Sequence, residues 1–131
     1  MIDFSLKPYE WQKSMDIVMQ YVNLSNIQFM DNISMVFEFL NSYDGKDYKK
    51  IVCNSVWKIA SEMDCYPGDR FPLFICDILI KKLELCEVRQ YSTLYRFGHT
   101  IPESDEYFLL CMESGEVSIS LICNKVEILD M

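Results

Sequence analysis

The sequence predicts an α+β domain in which four N-terminal helices precede a small antiparallel sheet of three or four strands. Two observations carry this. Up to Val88 the apolar residues recur at three-to-four spacing, the period of a helix face, and beyond it they alternate at the period of a strand. A length of 131 residues suits one domain, and 50% hydrophobic residues supply material for its core. No repeat, low-complexity tract or linker divides the chain, so residues 1–131 read as a single α+β domain.

The first helix is expected from Pro8 to Val22, because proline suits an N-terminal turn and Trp11, Met15, Val18 and Val22 would share one face. Ser25-Asn26-Ile27-Gln28 has the form of a capping box and would open a second helix from Asn26 to Leu40. Phe29, Met30, Ile33, Val36, Phe37 and Leu40 spread over more than half of its circumference, which predicts deep burial. Asn41 to Gly45 has turn chemistry, and Asp47 is placed to cap a third helix reaching Met63, with Ile51, Ser55 or Val56, Ile59 and Met63 inward. Pro67-Gly68 ends that segment. Pro72 then starts a fourth helix, Phe71 to Cys86, on which Ile75, Ile78, Leu79 and Leu83 repeat, and Asp77 is read as a polar-face residue in preference to a buried, hydrogen-bonded carboxylate.

Tyr91, Thr93, Tyr95 and Phe97 alternate with more polar neighbours as in a half-buried strand; Tyr91 and Tyr95 share a face that either packs into the core, the preferred reading because Phe97 lies on it too, or is presented to a partner. Glu106 to Met112 is apolar on both faces, as in a central strand. Ser114-Gly115 makes a tight turn into Glu116 to Cys123, where Val117, Ile119 and Leu121 face inward and Ser118 and Ser120 outward. Asn124-Lys125 bends the chain before a short last extension, Val126 to Leu129.

The net charge of -8 weighs against nucleic acid as a direct ligand, since phosphate binding needs clustered Lys and Arg. The first ten residues lack the pattern of a secretory signal, and no apolar run is long enough to span a bilayer as a helix. The expectation is a cytoplasmic protein, with no membrane contact and six reduced cysteines. No C-x-x-C pair or glycine-rich phosphate loop occurs, and His99 is the only histidine, so neither a metal nor a cofactor is expected and no catalytic residue is assigned.

Charge is the more informative signal. Residues 99–131 carry seven acidic side chains against Lys125 alone, so a net -6 of the -8 belongs to this last quarter. Glu103, Asp105, Glu106, Glu113 and Glu116 crowd the predicted hairpin and are the candidate partner-binding residues. Two readings stand beside each other. The carboxylates accelerate docking of a basic protein, or they keep a sheet edge soluble.

A small acidic α+β chain with reduced cysteines, no catalytic motif and a carboxylate rim resembles the immunity proteins of contact-dependent growth inhibition and other polymorphic toxin systems. The resemblance is one of overall character. It implies a non-catalytic binding protein that neutralises a cognate toxin domain, in many cases a basic nuclease, with the five carboxylates standing in for nucleic-acid phosphates. The alternatives are a small acidic secretion chaperone and a winged-helix-like adaptor, the latter because Asp47–Met63, Phe71–Val88 and the hairpin follow a helix-helix-wing order.

Overall fold

The computed structural model describes residues 15–30, 34–63, 72–89, 106–114 and 117–131. They form six antiparallel strands: β1 (Asp16–Phe29), β2 (Met35–Asn41), β3 (Asp47–Met63), β4 (Leu73–Leu83), β5 (Tyr107–Glu113) and β6 (Val117–Asp130). A five-residue helix, α1 (residues 85–89), follows β4. The strands close into a barrel in the order β1-β2-β3-β6-β5-β4, with β4 returning to pair with β1. The expected α+β class is therefore wrong. Strands stand where the second, third and fourth helices were predicted, and β1 replaces the last part of the first. The helix-helix-wing order falls with them.

The barrel interior is filled by side chains, as a barrel of few strands requires. Leu24, Phe37, Ile51, Ile75, Met112 and Leu121 are among those buried in it. Strand alternation normally sends every second residue inward, yet Met19 and Val22, three apart, both enter this core. Between them Tyr21 has φ +55°, a left-handed conformation that shifts the alternation by one residue. The same device recurs in β3. Ser55 has φ +57°, and Cys53 and Val56 on either side of it both pack inward.

A second apolar layer lies outside the barrel, over β5 and its neighbours. Tyr107, Leu109 and Cys111 alternate with the interior Leu110 and Met112, and they are buried against Ile122, Leu83, Met15 and Val88 of α1. This bears out the two-faced apolar character expected of β5. Val117, Ile119 and Leu121 face the interior as predicted, while Ser120, on the other face, is also buried and donates to Cys111 Sγ at 3.5 Å. The expected bend at Asn124-Lys125 is absent, because β6 continues along β3 to Asp130.

Local chemistry explains two further points. Asn41 to Gly45 does turn the chain: Gly45 N–H donates to the Asn41 carbonyl at 2.9 Å, and Asn41 Oδ1 accepts from Tyr43 N–H at 2.9 Å. Gly45, at φ +70°, takes the left-handed position that glycine tolerates. Ser25 caps no helix. It lies mid-strand, and its hydroxyl donates to the Glu38 carbonyl at 3.1 Å where the β1–β2 register shifts.

Cys53, Cys76, Cys86, Cys111 and Cys123 are free thiols. Hydrogen bonding with Cys123, reinforced by burial, pushes the Cys53 thiol far above its ordinary range. Since the thiolate is the reactive form, Cys53, Cys111 and Cys123 are expected to resist a maleimide at pH 8 while exposed Cys86 is alkylated faster than these three. Time-resolved mass spectrometry reads this. Labelling of Cys53 as fast as that of Cys86 would contradict the barrel interior.

Candidate functional site

The described surface has a concavity beside the β2–β3 turn. An open groove of about 410 Å³ is lined by Gln20, Tyr21, Val22, Asn41, Ser42, Tyr43, Tyr48 and Phe74. Its rings come from three places. The left-handed step at Tyr21 frees that ring from the interior alternation, and the β1–β4 pairing sets Asn23 opposite Phe74 one turn of the pleat away. Tyr21 and Phe74 then stack, with centroids 6.4 Å apart and planes inclined by 19°. Tyr43 sits at the turn, 99% exposed, and Tyr48 is the second residue of the return strand.

The polar surroundings are ordered. Gln20 Nε2 donates to Asp77 Oδ1 at 2.8 Å, Asp44 Oδ1 accepts from Lys46 N–H at 2.9 Å, and Lys49 Nζ lies 5.4 Å from the Tyr48 ring centroid. A non-glycine residue held left-handed costs on the order of 1–2 kcal/mol. The step at Tyr21 leaves an aromatic stack at the surface, and four large rings in one groove exceed the scattered exposure usual for a surface.

The acidic residues chosen from sequence fare differently. Glu103, Asp105 and Glu116 lie outside the described residues, as do His99 and the Tyr91–Phe97 alternation. Glu106 and Glu113 flank β5 at its opposite ends, about 24 Å apart at a strand rise of about 3.4 Å per residue. The structure does not bring these two together. Glu106 Oε1 meets Lys82 Nζ at 3.3 Å in an exposed pair, while its carbonyl accepts from Asn124 Nδ2 at 2.8 Å. Asn124 Oδ1 in turn accepts from Trp57 Nε1 at 2.7 Å, so Glu106 is anchored to the outer apolar layer, away from the groove.

Glu113 is nearer to it. The register runs Gln20–Asp77–Glu113–Ser118 around the barrel, placing Glu113 two strands from the groove's Gln20. Asp77 also leaves its predicted helix face and joins this row. β5 is hydrogen-bonded on both sides, so Glu113 guards no sheet edge. Among the described residues, no group of three or more His, Cys, Asp or Glu is arranged to hold a metal ion, and no helix is long and apolar enough to cross a membrane.

Sequence reasoning missed the groove. A signal existed in part: Tyr43 and Tyr48 stand among polar and charged neighbours around a turn, where an aromatic ring has no core to enter.

A protein-family model described only as "-like" matches residues 17–130. A comparison with curated proteins finds no match. Among solved structures, the crystal structure of an uncharacterized protein from Neisseria gonorrhoeae is similar, with a TM-score of 0.63 and 17% identity over 87% of this chain and 95% of that one. This similarity concerns the fold.

Proposed function

The chain belongs to the family whose "-like" model spans residues 17–130, and from that premise we propose that it is a non-catalytic binding protein that captures a basic protein partner through the Tyr21–Phe74 groove. One observation carries the reading: a strained Tyr21 presents a stacked aromatic pair to solvent in a chain of net charge -8. Aromatic anchors in a concave site supply most of the affinity of a typical interface, and the acidic field speeds the encounter and selects against acidic partners. In the form carried over from the resemblance to immunity proteins, which now rests on size, acidity and the absence of a catalytic motif because its α+β ground has fallen, the partner is a basic toxin domain and the outcome is its neutralisation. The groove takes over as docking centre from the carboxylate rim, with Glu113 as the one described rim residue near it.

The test is co-expression with the product of the adjacent reading frame. The expected result is a stable 1:1 complex whose association slows as salt rises from about 50 to 300 mM. Phe74→Ala should raise Kd by about 30-fold, the consequence of losing an interfacial hot spot worth about 2 kcal/mol. No complex would refute the toxin form of the proposal. A complex indifferent to Phe74→Ala and Tyr43→Ala would refute the groove.

A further inference from the structure

We infer that the groove selects its partner through an arginine, whose guanidinium lies on the Tyr21–Phe74 stack within the field of Asp44, Asp47 and Asp77. The inference rests on the docking reading above and names the chemistry of the contact. Two rings only 19° from parallel present flat π surfaces, which suit a flat cation. A tyrosine of the same groove already has a cation near its ring, since Lys49 Nζ lies 5.4 Å from the Tyr48 centroid.

Charge narrows the choice. The groove lining holds no basic side chain, and the adjoining positions Asp44, Asp47 and Asp77 outnumber Lys46 and Lys49, the latter 4.0 Å from Asp130. An anionic group would meet repulsion there. A purely apolar side chain would cover the Gln20 amide oxygen, the Asn41 amide nitrogen and the Ser42 hydroxyl without giving them partners, which is costly. Gln20 commits its amide nitrogen to Asp77, so its amide oxygen is the acceptor it offers to an incoming N–H. Lysine would satisfy the charge, but its ammonium is strongly hydrated and cannot stack.

The experiment is an amide-resolved NMR titration of the whole chain with acetyl-Gly-Arg-Gly-amide and its lysine and norleucine counterparts. The arginine peptide should shift Gln20, Tyr21, Tyr43 and Tyr48 saturably, with a Kd on the order of 1–10 mM as suits a single side chain. The lysine peptide should bind about threefold to fivefold more weakly, and norleucine should leave those signals in place. Phe74→Ala should weaken the arginine peptide about fivefold without moving the thermal midpoint by more than about 2 °C, because Phe74 is exposed. Equal binding of arginine and lysine, equal binding of norleucine, or shifts scattered over the acidic surface would each overturn the inference. If the partner complex depends on Phe74 while no arginine peptide shifts the groove, arginine selection falls and docking stands. If the arginine peptide binds and the partner complex ignores the groove, the docking reading is the one that fails.

Discussion

Phe37→Ala is expected to destabilise the protein by about 4 kcal/mol, and Phe29→Ala by less than about 0.5 kcal/mol. Phe37 is fully buried in the barrel interior beside Phe39 and Ile51, so truncation removes a ring from a filled space and leaves a cavity. Phe29 ends β1 at 74% exposure and leaves no such cavity. The contrast separates two architectures. On the helix inferred from periodicity, Phe29 and Phe37 belong to one buried stripe and their losses would be comparable. Urea unfolding of both variants decides between them, with the midpoint moving for Phe37→Ala and the slope unchanged. Phe37→Leu, keeping most of the volume, should cost only about 1.5 kcal/mol and provides a folded reference should the alanine variant fail to fold. Similar losses at positions 29 and 37 would refute the β2 register.

The helix prediction failed for a physical reason that those positions expose. Left-handed steps at Tyr21 and Ser55 bring Met19 with Val22, and Cys53 with Val56, to the same side of a strand at a spacing of three. Three-residue spacing is also what a helix face produces, so bulged strands imitate an amphipathic helix. Ile75 and Ile78 repeat the pattern in β4, where they pair with Val22 and Met19 on either side of the Tyr21 step. The second apolar layer worsened the ambiguity by placing Leu79 and Leu83 on the outer face among interior neighbours. Where no left-handed step intervenes, the strand period survives. Val117, Ile119 and Leu121 alternate cleanly, and β5 with the first part of β6 was legible as a hairpin.

The candidate site was less legible than the hairpin because its halves are remote in sequence. Tyr43 and Tyr48 flank a readable turn, but Tyr21 meets Phe74 only through the β1–β4 pairing that closes the barrel. Counting charge by segment located an acidic quarter of the chain without saying which faces its members occupy. Glu106 and Glu113 belong to that quarter and end up a strand length apart, one beside Lys82 and the other in the row leading to Gln20. Net charge thus supports a statement about the sign of a partner. The location of the contact follows from strand register.

Glu87→Ala is expected to cost about 3 kcal/mol, the second large effect on stability. One carboxylate does two jobs there. Glu87 Oε2 meets Lys81 Nζ at 2.9 Å, with the two side chains only 12% and 17% exposed, and Glu87 Oε1 accepts from Glu84 N–H at 2.8 Å. The pair joins α1 to β4, while the second bond closes the helix's first turn. A helix of five residues has no stability of its own, so its position depends on such ties and on Val88, which is buried against the outer layer. Glu87→Gln keeps an oxygen for Glu84 N–H but gives up the charge opposite Lys81, and should cost about half as much. Replacing both partners, as Lys81→Met with Glu87→Met, should recover most of the loss because no half-satisfied charge is left in a poorly hydrated site. Denaturant unfolding orders the variants, and hydrogen exchange at Val88 reports whether α1 opens alone or with the barrel. If Glu87→Ala stayed within about 0.5 kcal/mol of the parent, the pair would be ornamental and the apolar contacts of Val88 alone would hold α1 in place.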